Sequence, residues 1–130
     1  MKYAEITGWG SYVPPILMTN DDMSQVIDTS DEWIFSRSGI KQRHYSHVST
    51  GKMAWLACER ALDAAGVNAE DVDLIILGST SPEEICPNTA SYIKNELGAT
   101  KAAAFDLNSA CTSWFYGVNV ATDMIRAGSI

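Results

Sequence analysis

The chain is short of positive charge, short of cysteine and without a long apolar run, and each shortage removes a class of function. Nine Lys and Arg stand against 16 Asp and Glu, a formal net charge of −7 over 130 residues. Non-specific nucleic-acid binding needs clustered Lys and Arg to neutralise phosphates, so nucleic acid is not an expected partner. The same field repels acidic partners except where a local basic patch reverses it, and no dense basic cluster occurs. No stretch approaches the roughly 20 apolar residues that cross a bilayer, so no membrane association is expected. Met1 to Glu5 lacks the apolar core of a secretion signal, which leaves a cytoplasmic location as the default expectation. The three cysteines, Cys58, Cys86 and Cys111, are odd in number and widely spaced. A disulfide framework wants even numbers and a zinc site wants thiols a few residues apart. Reduced thiols and no metal are therefore expected.

What is present is an ordinary globular composition, 46% hydrophobic and 19% charged. There is no repeat, low-complexity tract or linker, so one domain over residues 1–130 is expected. Tyr3 to Val13 alternates loosely and stops at Pro14-Pro15, which predicts a first strand. Thr19-Asn20-Asp21-Asp22 opens a short helix to about Ile27. Thr29-Ser30-Asp31-Glu32 spells a T-x-x-E capping box for a second helix through about Ser36, with Gly39 as its left-handed stop. Gln42 to Ser46 is a candidate strand. From Thr50 to Ala65, Met53, Leu56, Ala57, Ala61 and Ala64 recur at helical spacing, and Gly66 ends the run. Leu74-Ile75-Ile76-Leu77 is a continuous apolar run, the pattern of a strand buried on both faces. A helix over Thr89 to Leu97 capped by Gly98, a strand over Ala102 to Leu107 and a long helix over Cys111 to Ala127 complete the series. Strands alternating with helices predict an α/β layered fold. Ser129-Ile130 reads as the beginning of another strand, so the fold is expected to be incomplete within these residues.

Phe105 to Cys111 is a strand passing through a small-residue turn into an almost uncharged helix. That places Cys111 at or near a helix N-terminus, where unpaired N–H groups favour a thiolate over a thiol. The same groups suit an oxyanion formed when the thiolate attacks a thioester, the geometry of covalent acyl transfer. Most free cysteines are instead buried small hydrophobes, and Cys58, in an Ala-rich helix, fits that description. Cys86, before Pro87, lies between the two.

Several segments together resemble the β-ketoacyl-acyl-carrier-protein synthase III family of thiolase-type condensing enzymes. They are Gly8-Trp9-Gly10-Ser11-Tyr12-Val13-Pro14, Asp28 to Ile34, Arg37-Ser38-Gly39-Ile40, Leu74 to Ser79, Pro87-Asn88-Thr89-Ala90, and Ala104 to Leu107 leading to Ala110-Cys111. The resemblance implies the amino-terminal half of a thiolase-like α/β/α/β/α fold. It also implies a decarboxylative condensation that initiates fatty-acid synthesis, in which an acyl-CoA primer acylates Cys111 and malonyl-acyl-carrier-protein supplies the carbanion. Thr29, Trp33 and Arg37 match positions lining the CoA entrance, and their spacing of four would align them if the helix begins at Thr29. Trp33 would offer a flat face to adenine and Arg37 a planar cation to phosphate. A Trp in the core with an Arg snorkelling above it is the plainer reading of the same residues. The resemblance further implies a homodimer and no permanently bound cofactor. The catalytic His and Asn of the family would lie in a second half; His44 and His47 do not match. The 130 residues alone are therefore expected to lack condensing activity and to self-associate. Related condensing enzymes of secondary metabolism, or a non-catalytic half-fold, are the alternatives. Two departures concern specificity. Thr112-Ser113-Trp114 stands where the family usually has a small residue, Gly and Phe, which adds bulk near the nucleophile. Cys86 stands where some relatives carry a pocket-closing aromatic, which implies room for a longer or branched primer.

Overall fold

The computed structural model describes residues 3–130, which divide into two compact units: Val13–Val48, and residues 3–12 with Ser49–Ile130. In the smaller unit, β1 (Ile16–Thr19) pairs antiparallel with β2 (Gln42–Tyr45), Ile16 opposite Tyr45 and Thr19 opposite Gln42. Between them lie α1 (Asn20–Ser24) and α2 (Asp31–Ser38). Asn20, 1% exposed, joins all of these pieces. Its amide nitrogen donates to Asp31 Oδ1 and the Ile40 carbonyl, each at 2.7 Å, and its oxygen accepts from Arg43 at 2.6 Å. A buried amide with these partners avoids the desolvation cost of an unpaired polar group.

Three local expectations are corrected here. No strand forms over residues 3–13; the first strand starts after the prolines. Gly8 and Gly10 lie so close to the Ala61 and Ala57 carbonyls that a β-carbon at either would collide. The small residues serve close backbone approach to a helix, not a strand ladder. The helix opened by Thr19 ends at Ser24 rather than Ile27; the chain continues in a turn in which the Val26 and Ile27 N–H groups donate to the Met23 carbonyl, with both side chains exposed. The second helix is capped by Ser30, whose hydroxyl accepts from the Trp33 N–H at 3.1 Å. With Ser30 as the cap, the third helical position is Trp33 and Glu32 falls one position early, so the T-x-x-E box from Thr29 does not form.

The larger unit follows the predicted helices closely: α3 (Thr50–Ala65), α4 (Thr89–Leu97) and α5 (Ser113–Ala127), with Gly66, Gly98 and Gly128 as left-handed stops. β3 (Leu74–Gly78) and β4 (Ala103–Leu107) pair in parallel, Leu74 opposite Ala103 and Gly78 opposite Leu107, with α4 as the crossover. Parallel neighbours require such a connection. Ile75, Ala90, Ile93, Ala99 and Ala102 form the buried core, with Trp55 and Cys58 of α3 packed on it. Period-two alternation turns Ile75 and Leu77 toward this core. Leu74 and Ile76 instead line an open cleft with Trp114, Gly117 and Val118 of α5. The expectation of burial on both faces is therefore corrected: among the described residues of β3 only Ile75 is buried, and the others are partly buried or exposed.

β4 is tied to α4 by Asp106, whose carboxylate accepts the Thr89 N–H at 3.0 Å and the Ala90 N–H at 2.8 Å. Asn88 caps the same helix, accepting from Ser91 N–H, and its amide donates to the Ala104 carbonyl. A carboxylate on the first free amides of a helix is a charge-assisted bond that also complements the dipole. Asp106→Ala is expected to lower unfolding free energy by about 1–3 kcal/mol, read as an earlier midpoint in urea; an unchanged midpoint would show that α4 holds its place without this anchor. At the other helix start, the Thr19 hydroxyl and N–H hold the Asp22 carboxyl below the ordinary carboxylate value. A depressed value in the folded chain makes this cap's contribution present at neutral pH and lost as pH falls through that lowered value. In an NMR titration Asp22 should titrate below the ordinary carboxylate value, and Thr19→Val should bring it back up.

Candidate functional site

β4 delivers the chain into the turn that carries Cys111. After Leu107, Ala110 takes φ +48°, a left-handed conformation that L-residues other than Asn and Asp rarely adopt. A 3₁₀ turn over Ala110–Thr112 follows, closed by the Thr112 N–H donating to the Ser109 carbonyl at 3.1 Å. Cys111 therefore sits in this turn near the N-terminus of α5, as the pattern suggested, with the helix starting two residues later at Ser113 rather than at Cys111. It is exposed. Thr112 turns its hydroxyl back onto Ser109, donating to the Ser109 carbonyl at 2.7 Å, and makes no side-chain cap for α5. Among the described residues no hydrogen bond engages the Cys111 N–H.

Ser113 lies beneath the turn, 3% exposed. Its hydroxyl accepts from the Ser109 N–H and donates to the Ala110 carbonyl, each at 2.8 Å. The expectation that this serine crowds the nucleophile is corrected. Its β-carbon faces Gly78 on β3, where a side chain would collide. Trp114, 62% exposed, stands edge-on to Phe115 with ring centroids 5.3 Å apart. Neither the left-handed Ala110 nor the brace from Ser113 was visible in the sequence, since alanine is no marker of positive φ and serine no marker of burial.

The other two cysteines differ from Cys111 in environment. Cys58 is partly buried against the core, and burial pushes its thiol up. Cys86 is exposed and precedes a cis bond to Pro87.

The second candidate cluster belongs to the smaller unit. Trp33 and Arg37 occupy successive turns of α2, with the guanidinium carbon 4.9 Å from the Trp33 ring centroid. Trp33 remains 56% exposed, so the plainer picture of a core tryptophan does not hold. Thr29 is not in line with them: it precedes the Ser30 cap and lies outside the helix. Its hydroxyl oxygen is buried and has no partner among the described residues. His44 and His47 are exposed, and His44 Nδ1 lies 2.6 Å from the Pro14 carbonyl. Among the described residues no group of three or more His, Cys, Asp or Glu is placed to hold a metal ion, and no helix is long and apolar enough to cross a membrane.

Comparison with known proteins gives a consistent result. The family model described as thiolase, N-terminal domain, matches residues 35–130. Over 125 residues the chain is 51% identical to β-ketoacyl-[acyl-carrier-protein] synthase III 2 of Vibrio cholerae, covering 96% of this chain and 34% of that protein. The crystal structure of 3-oxoacyl-[acyl-carrier-protein] synthase III from Aquifex aeolicus superposes with a TM-score of 0.89 at 38% identity, covering 95% of this chain and 41% of the other. The priming β-ketosynthase of a polyketide biosynthetic pathway superposes with a TM-score of 0.88 at 31% identity, covering 95% and 37%. The fold is thus thiolase-like, and the chain spans about a third of the length of the curated relative it matches.

Exposure and thiol chemistry together predict a labelling pattern. Iodoacetamide at neutral pH, followed by peptide mapping, should modify Cys111 and Cys86 and leave Cys58 largely untouched, because the thiolate is the reactive form. Labelling of Cys58 as fast as Cys111 would contradict this packing.

Proposed function

Because the chain belongs to the thiolase family, through a match to its N-terminal domain, we propose that it carries the acyl-accepting part of a condensing enzyme of the β-ketoacyl-acyl-carrier-protein synthase III type. The observation that carries this reading is Cys111, exposed on a strand-to-helix turn with its own N–H unengaged. In the first step the Cys111 thiolate attacks the carbonyl carbon of an acyl-CoA. A carbon–sulfur bond forms and the carbonyl electron pair moves onto oxygen, to which the free N–H can donate a hydrogen bond. Collapse of that oxyanion expels the CoA thiolate and leaves an acyl-cysteine. In the second step malonyl-acyl-carrier-protein loses carbon dioxide. The electron pair of the broken carbon–carbon bond attacks the acyl carbonyl, and Cys111 leaves as thiolate.

Trp33 and Arg37 fit the CoA end of this reaction. An exposed indole already stacked with a guanidinium offers a flat face to adenine and a fixed cation to phosphate. Thr29, just outside the helix, is the third residue of this reading, with a buried hydroxyl that has no partner among the described residues. The reading carries with it a cytoplasmic homodimer that uses acyl-CoA and carrier-bound malonate, with no resident cofactor or metal. The exposed Cys86 is consistent with a primer longer or more branched than acetyl. A second reading, a priming synthase of secondary metabolism, is favoured by the polyketide neighbour at 31% identity. The two differ in primer and product, not in the use of Cys111.

Intact-mass spectrometry after incubation with acyl-CoAs of increasing length tests both. One acyl adduct mapping to Cys111, lost in Cys111→Ala, is the expected result; a native protein that takes no acyl group from any of them would sink the proposal. Trp33→Ala is expected to weaken acyl-CoA binding roughly tenfold, about 1.4 kcal/mol, without altering iodoacetamide labelling of Cys111. Residues 1–130 by themselves should give no condensing turnover.

A further inference from the structure

The acyl-cysteine reading leaves open what holds the Cys111 N–H in a direction that serves the reaction, and Ser113 answers that. The Ala110 carbonyl is held twice by Ser113, by its backbone N–H and by its hydroxyl at 2.8 Å. The Ala110–Cys111 peptide is trans, so its N–H points opposite to its carbonyl. With the carbonyl turned down toward buried Ser113, the Cys111 N–H is turned away from α5 and toward the open side of the turn. The same hydroxyl accepts from the Ser109 N–H, so one oxygen spans both sides of the left-handed residue. Alanine has no intrinsic preference for φ +48°, so outside contacts must hold it there. The serine reaches this place because Gly78 has no side chain: a β-carbon there would come within 2.8 Å of Ser113 Cβ.

We propose that the Ser113 hydroxyl is a positioning group that locks the Ala110–Cys111 peptide plane, keeping the Cys111 N–H turned toward the oxygen of the acyl group that Cys111 accepts. The inference rests on the acyl-cysteine reading and adds a requirement to it. Transfer from an acyl-CoA builds charge on the thioester oxygen and uses that N–H. Alkylation by iodoacetamide displaces iodide at a saturated carbon, builds no oxyanion and has no use for it. Loss of the lock must therefore separate the two reactions.

The experiment compares both rates at Cys111, by mass spectrometry, in the protein as it occurs in the cell and in its Ser113→Ala and Ser113→Gly variants. The acyl-CoA is whichever one the native protein accepts. Alanine leaves the β-carbon against Gly78 and removes both hydroxyl bonds; glycine, the residue the family usually carries here, removes the same bonds and leaves the Ser109 N–H of this chain without the partner it has in Ser113. The expected result is acylation slowed about 10- to 100-fold, with alkylation within about twofold of native. Either variant suffices if the other does not fold. Acylation at the native rate in a folded variant overturns the proposal. A parallel fall in both rates overturns it too, since that is the mark of a displaced or disordered thiol. Failure of the native protein to be acylated at all is a different result, which removes the acyl-cysteine reading itself and the lock with it.

Discussion

The contact on which the larger unit turns is the one between the Asp106 carboxylate and the first amides of α4. Asp106 belongs to β4, five residues before Cys111, and α4 is the crossover that makes β3 and β4 parallel neighbours. One side chain therefore fixes the helix to the strand that the helix itself brought into register. Asn88 repeats the link through the Ala104 carbonyl. The result is a strand whose exit direction is set before the turn begins. A nucleophile placed on a turn is only as well positioned as the element that feeds it.

The turn itself is governed by close approach. β3 ends in Gly78, and the space above that glycine is filled by the β-carbon of Ser113. The hydroxyl of that serine then supplies a partner for the Ser109 N–H and a second donor to the Ala110 carbonyl. Burial, hydrogen bonding and an unusual backbone angle are thus coupled within five residues, and Cys111 is left exposed between Ala110 and Thr112, which are exposed too. On the far side of the same strand, Ile75 and Leu77 face the packed core of α3 and α4. β3 accordingly has two roles, sealing a core with one face and lining the cleft beside α5 with the other.

The smaller unit is built on a different device, the buried amide of Asn20, which reaches Asp31, Ile40 and Arg43 at once. Asp31 is the first residue of α2, so the amide also sets where that helix starts and hence where Trp33 and Arg37 fall on it. The cation–π contact between those two keeps a large apolar ring in solvent. This exposed ring is the surface that the proposed CoA contact would cover.

Helices α3, α4 and α5, strands β3 and β4 and the four glycine stops were legible from the chain itself. Apolar spacing, β-branched runs and glycine's freedom at positive φ act within a few residues and need no tertiary partner. The motif series from Gly8 to Cys111 likewise resembled the thiolase-type family, and the family match agrees with that resemblance. Tertiary structure alone decided three things. The segment over residues 3–13 formed no strand; Gly8 and Gly10 lie against α3 while most of its side chains stay exposed. Thr29 fell outside α2, because the Ser30 hydroxyl captured the Trp33 N–H. Ser113 became a buried brace, because β3 happens to end in a glycine beneath it. Each outcome depends on a partner distant in sequence or on a one-residue choice of cap, and local pattern carries no information about either.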